Sequence, residues 1–254
     1  MTQFHRLGSV AQRGFWWARD YLDAGIAVGR SYLSRTPASS FEVGRDDLPI
    51  VVILPGVYEP WRFQLPLIRG LHARGYRVRV VEDLRDNRVA VRTGATIAQK
   101  VVDRVAAGPG SVVLVAHSKG GLIGKRLLLD AGEDSPLIGL VAVATPFAGS
   151  VLARLTPGRT LSELRPTSQT IQGLADEAAN AKIVSMLPAF DPHVPGERLL
   201  PGAIVRTLKG AGHFSVLTTT ELLAAVIEGI ELLRTPGPAS DSPKEIRESP
   251  DSSP

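Results

Sequence analysis

The sequence predicts an α/β fold, with a mostly parallel central sheet covered by helices on both faces. Three observations predict it. Short runs such as "PIVVILPG" and "SVVLVAHS" are apolar throughout, without the alternation of a half-exposed strand, which marks strands buried on both faces. Between such runs lie segments with helical spacing, as in "ATIAQKVVDRVAAG", where Ile97, Val101, Val102 and Val105 share one face. The two kinds of segment alternate from Leu48 to Arg234, the pattern of strand–helix–strand units.

In chain order, residues 1–35 read as a helical arm. Phe15, Trp16, Tyr21, Leu22, Ile26 and Leu33 recur at helix-like intervals, among five arginines and two aspartates. The plain expectation is a helix that docks its apolar stripe on the domain. The sharper one is a helix on an anionic membrane surface. Residues 36–47, rich in Pro, Ser and Gly, read as a linker, and 48–234 as the main domain. "PIVVILPG" is its first strand, "FQLPLIRGLHARG" a helix closed by Gly75, and "YRVRVVEDL" the next strand. "ATIAQKVVDRVAAG" is a helix, "SVVLVAHS" a strand and "KGGLIGKRLLLDAG" a helix. "LIGLVAVATP", "NAKIVSMLPAF" and "AIVRTLKG" are strands, and "TELLAAVIEGIELLR" is the last helix. Residues 150–179 form the one long insertion, and the Pro/Ser-rich tail at 235–254 is expected to be disordered.

Composition narrows the function. The 254 residues suffice for one sizeable domain or two small ones, with 44% hydrophobic and 21% charged residues. There is no cysteine, so disulfides, thiolate metal sites and a cysteine nucleophile are excluded, and nothing supports an oxidising compartment. The net charge of +4 is spread thinly, without a basic run interleaved with aromatics, so nucleic acid is not an expected partner. No apolar stretch is long enough to span a bilayer, and "FWWARDYLDAGIAVGRSYL" is broken by Arg19, Asp20 and Asp23, unlike a signal peptide. A cytoplasmic location is expected, with membrane association through the arm as the alternative.

Ser118 is the residue that points to chemistry. It stands where an apolar strand turns at once into a Gly-rich helix, with Ala116 and Gly120 two positions to either side. Reactive groups of parallel sheets belong at the carboxyl ends of strands. A strand that turns straight into a helix strains the turning residue and aims its side chain out of the sheet, which demands tiny neighbours. The stretch "AHSKGGLIGK" has neither glycine spacing of a nucleotide-binding turn. A serine hydroxyl needs a base, and the base needs an acid behind it. Downstream strands end at Asp191 and then at His213. His193 is the rival base, while His5 and His72 read as solvated and His117 as structural. Glu82, Asp83, Asp86, Asp176, Glu177 and Glu197 are the other candidate acids.

These segments resemble the α/β-hydrolase superfamily, and within it the small bacterial lipases and esterases. "AHSKGG" is similar to the nucleophile elbow, "VVILPGVYEPW" to the first strand and oxyanion loop, and "VATPFAGS" to the segment after the next strand. "FDPHVPGERLLPGAIVRTLKGAGH" is similar to the acid loop, last strand and catalytic histidine. The resemblance implies Ser118 as nucleophile, Asp191 as acid, His213 as base, and the backbone N–H groups of Val57 and Lys119 as oxyanion donors. It implies Tyr58, Phe147, Leu152 and Leu155 as residues that meet the substrate, and 150–179 as a short cap. Leu152, Leu155, Leu161 and Leu164 either line an acyl channel or pack on the sheet. Three positions depart from the family pattern: Pro55 before Gly56, Phe147 where many lipases have histidine, and Lys119 after the nucleophile. The Lys119 ammonium is expected either at the pocket mouth, favouring an anionic or polar partner, or on the surface.

The expected function is hydrolysis of a carboxylic ester, lipid or other acyl ester, through an acyl-enzyme, with no metal and no cofactor. Acyl transfer and thioester cleavage use the same three residues. A catalytically silent binding scaffold and a membrane adaptor run by the arm are the readings from other classes.

Overall fold

The structure, a computed structural model, describes residues 10–106, 108, 110–154, 158–195 and 199–235. His5, Leu155, Glu197 and the tail from residue 236 onward lie outside the described residues. Six strands form one sheet: β1 (Ile50–Leu54), β2 (Val78–Val80), β3 (Val112–His117), β4 (Leu137–Val143), β5 (Ile183–Pro188) and β6 (Ile204–Leu208). Their order is β2-β1-β3-β4-β5-β6, and every pairing is parallel. β1, β3 and β5 are buried along their whole length, as continuous apolar runs require.

Alternate residues of each strand feed opposite layers. Val52, Leu54, Leu114 and Ala116 face α3 (Val91–Ala106) and α4 (Lys119–Asp130). Val51, Ile53, Val113 and Val115 face α2 (Leu65–Ala73) and α7 (Thr220–Arg234). Two one-turn helices, α5 (Arg159–Ser162) and α6 (Gln169–Gln172), interrupt the insertion. From β1 the chain runs outward to β2, then returns past β1 to β3. The carboxyl ends of β1 and β3 therefore flank the point where the winding reverses, the place where open parallel sheets hold their ligands.

Two expectations change. The strand read from "YRVRVVEDL" stops at Val80, and Glu82–Leu84 is a turn of 3-10 helix. The chain has to turn here, because Arg85 and Asn87 adopt positive φ (51° and 49°) and bring the Asn87 amide under Pro55, where Nδ2 donates to Pro55 O at 2.6 Å. The second change concerns the arm. Helix α1 (Val10–Leu33) does dock, but not by its apolar stripe. Phe15, Leu22, Ile26 and Leu33 are exposed. The docked face is centred on Asp20, Ala24, Ala27 and Ser31, at intervals of four, three and four residues, with Val28 packed on the core and the rings of Trp17 and Tyr21 against His193 at its edge. Small side chains let the helix approach closely, and the carboxylate finds donors in the domain, as described below.

Candidate active site

The turn from β3 into α4 is built around Ser118, whose backbone has φ 50° and ψ −122°, a conformation few non-glycine residues adopt. Its N–H donates to Val143 O at 2.9 Å, which ties the strained residue to β4. Gly120 is forced by packing. A methyl group there would run into Leu54 O and lie 2.8 Å from Pro55 O at the end of β1. The elbow thus lies directly against the chain leading to Val57.

Three side chains from distant parts of the sequence meet at this rim. Ser118 Oγ lies 2.9 Å from His213 Nε2. His213 Nδ1 lies 2.9 Å from Asp191 Oδ2. The other oxygen, Asp191 Oδ1, accepts the N–H groups of His193 (2.8 Å) and Val194 (3.0 Å). Burial works against the Asp191 charge, but His213 and these two N–H groups outweigh it and keep the carboxyl below its ordinary pKa. With a carboxylate on Nδ1, the imidazole carries its proton there and leaves Nε2 as acceptor for the Ser118 hydroxyl. All three residues are buried, Ser118 being 5% exposed.

The backbone of His213 is pinned from both sides by residues that the sequence did not single out for this role. Its carbonyl faces His117 Nε2 at 2.9 Å, and His117 Nδ1 faces Glu59 Oε1 at 2.8 Å. Both partners of the His117 ring are acceptors, so the ring carries both protons. Burial opposes that charge, but the Glu59 carboxylate outweighs it and raises the His117 pKa. Glu59 Oε2 also accepts the Gly56 N–H at 2.8 Å, linking the base loop to the turn that holds Val57. On the other side, the N–H of His213 donates to Asp20 Oδ2 at 3.0 Å. Asp20 Oδ1 accepts the N–H groups of Phe214 and Ser215, both at 2.9 Å.

His193, the rival base, lies with its ring against Trp17, Tyr21 and His213, and its Nε2 is 3.4 Å from Asp20 Oδ2. It takes no part in the Ser118 hydrogen bond. His72 is not solvated as expected: it is half-buried, with its ring edge-on to Phe41. Of the residues expected to meet substrate, Tyr58 is half exposed with φ 62°, and Leu152 is half-buried. Phe147 packs in the apolar layer with Leu164 and Ile171 rather than standing open to solvent. Leu161 packs against the same layer, so these cap leucines serve the core.

Lys119 corrects both expectations for it. The side chain is neither at the mouth nor on the surface but fully buried. Nζ donates to Asn87 O at 3.3 Å and to Val89 O, and lies 4.0 Å from Glu163 Oε2. Glu163 also accepts the N–H of Val91 at 3.1 Å, at the start of α3. Lys119 therefore ties the elbow to the loop under β1 and to the insertion. Burial pushes its ammonium down from 10.5 to about 8, against the pull of Glu163. In the window between those values the unfolded chain binds the proton and the folded chain does not, so stability rises with pH there. Lys119→Met is expected to abolish this rise, measured as the difference in urea midpoint between about pH 7.5 and about pH 10.

No protein-family model matches the chain, and no curated protein matches it significantly. Solved structures do. The mature form of lipase BlEst2 from Bacillus licheniformis superposes with a TM-score of 0.57 at 14% identity, covering 77% of this chain and 96% of that one. Est1E from Butyrivibrio proteoclasticus, with ferulic acid bound, gives 0.55 at 15% identity over 75% of this chain and 89% of that one. Mouse alpha/beta hydrolase domain-containing protein 10 gives 0.52 at 16% identity over 75% and 90%. At such identities the likeness is one of architecture, and it agrees with the sheet order and the strand–helix elbow: the chain has the α/β-hydrolase fold.

Proposed function

We propose that the protein is a serine hydrolase of carboxylic esters, with Ser118 as nucleophile, His213 as base and Asp191 as the orienting acid. The observation that carries this reading is the unbroken line from Ser118 Oγ through His213 to Asp191, with both contacts at 2.9 Å. Ser118 Oγ attacks the ester carbonyl carbon while its proton passes to His213 Nε2. The oxyanion that forms is received by the backbone N–H groups of Lys119 and Val57, each donor contributing about 3 kcal/mol in such sites. Collapse breaks the C–O bond to the alcohol, which leaves with the proton from His213. Water then repeats the sequence on the acyl-enzyme, giving the carboxylic acid and free Ser118. Replacing water by another acceptor alcohol or thiol at that step gives the acyl-transfer alternative.

A lipid-like acyl ester suits the surface around the site. Tyr58, Val151 and Leu199 are large apolar residues left exposed on the loops that follow β1, β4 and β5, on the carboxyl side of the sheet where Ser118 stands. On α1, Phe15, Leu22, Ile26 and Leu33 form one exposed stripe, flanked by the exposed Arg19 and Arg30. Both aspartates of the arm are turned to the domain, Asp20 to the His213 loop and Asp23 to Ser215 Oγ at 2.7 Å. Asp23 also pairs with Arg19 at 3.7 Å, which leaves an outward face that is mainly apolar with Arg30 at its edge, a surface suited to an anionic bilayer. The test is a series of p-nitrophenyl esters of rising chain length, assayed with and without anionic vesicles. Rates that rise with chain length and with vesicles are expected. A preference for acetate that ignores vesicles would remove the lipid reading and leave the esterase.

A further inference from the structure

The strongest feature outside the three reacting residues is Asp20. It lies almost two hundred residues before His213 in the sequence and is completely buried. Three consecutive backbone N–H groups, those of His213, Phe214 and Ser215, converge on its carboxylate at 3.0, 2.9 and 2.9 Å. Ser215 Oγ lies 3.1 Å from Asp20 Oδ1, with its single proton directed to the nearer Asp23 Oδ2 at 2.7 Å. Such a cluster of amides is an anion nest, here filled by the protein's own side chain. The loop is shaped around it: Gly212 has φ 102°, and a methyl group there would lie 2.5 Å from Asp20 Oδ1. Burial opposes the charge on Asp20, but the His193 side chain and the three N–H groups outweigh it and hold the carboxyl at about 2.

We propose that Asp20 is a positioning residue for the catalytic base, which makes α1 a working part of the active site rather than an appended arm. The proposal rests on the reading of Ser118, His213 and Asp191 as the reacting residues. Its logic is geometric. With Asp20 on the N–H and His117 on the carbonyl, the His213 peptide groups are held at both ends. Only the two side-chain torsions remain, and Asp191 sets those through Nδ1. Without Asp20 the N–H groups of His213, Phe214 and Ser215 have no acceptor, and the segment moves to find one. The imidazole moves with it and loses Ser118. Asp20 touches neither the serine nor the expected substrate position, so substrate binding stays as it was.

The test uses the full chain, p-nitrophenyl butyrate and a fluorophosphonate probe, comparing wild type, Ser118→Ala, Asp20→Asn and Asp20→Glu. In Asp20→Asn the amide group places a donor opposite the His213 N–H. A loss in kcat of about 10- to 100-fold is expected, as misplacement of a reacting group gives, with KM within about twofold and probe labelling slowed in parallel. Asp20→Glu keeps the charge and the acceptors, and is expected to recover part of kcat. Wild-type kcat in Asp20→Asn overturns the proposal, as does a loss carried by KM together with loss of cooperative unfolding. Should Asp20→Asn not fold, Asp20→Glu decides: lowered kcat at unchanged KM supports the role, and wild-type kcat removes it. Full activity and labelling in Ser118→Ala would instead strike at the underlying reading of the triad.

Discussion

Ser118→Ala is expected to lower kcat on p-nitrophenyl esters by about a millionfold and to abolish fluorophosphonate labelling, with unfolding little changed. The size follows from the division of labour at the rim of the sheet. In the proposed mechanism the hydroxyl is the group that bonds to carbon, and among the described residues Ser118 is the side chain that His213 Nε2 meets in a hydrogen bond. The imidazole has no purpose without that proton to accept. His213→Ala is therefore expected to cost about as much, and the double variant no more than either single one, since residues that act as a unit do not add. The residual rate belongs to the oxyanion donors and to binding. Labelling that persists in Ser118→Ala would place the nucleophile elsewhere.

Asp191→Asn is the second large effect, with kcat expected to fall about ten-thousandfold while the protein stays folded. The orientation of the substituted amide is dictated by the loop. The N–H groups of His193 and Val194 both point at Oδ1, so the amide oxygen must stay on that side. The NH2 group then faces His213 Nδ1 and donates to it. That imidazole nitrogen becomes an acceptor, the ring proton moves to Nε2, and the ring presents N–H to Ser118 where it should present a lone pair. A variant with the correct shape and the wrong tautomer results. Restoration of most of the rate by exogenous base of high concentration, without change in KM, would agree with this cause. An Asp191→Asn enzyme with wild-type kcat would hand the acid role to another carboxylate.

The three residues of the proposed triad are legible in the sequence because each sits where chain geometry leaves few choices. Ser118 is betrayed by Ala116 and Gly120, and the structure shows why: the space beside Gly120 is taken by Leu54 O. Asp191 and His213 follow strand ends in the order that the winding requires. The supporting residues were not legible in the same way. Glu59 follows an oxyanion-like loop and looks like any surface glutamate until His117 is seen to be buried on it. Lys119 was read by its charge, yet its backbone position at the head of α4 puts it inside the molecule, where carbonyls of the loop at 87–89 accept its protons. Asp20 had a signal that went unused. It shares a helical face with Ala24, Ala27 and Ser31, and a carboxylate amid small residues opposite an apolar stripe marks a docking face that expects donors. Apolar residues normally define the buried side of a helix, and here the stripe of Phe15, Leu22, Ile26 and Leu33 does not.

Helix α1 presents the exposed stripe to the outside and Asp20 to the base loop along one rod of 24 residues. A rod has no joint between its two sides. With Asp20 as the proposed support of His213, a detergent micelle or a surface that tilts the rod also shifts the imidazole, so turnover is expected to depend on how this helix is held.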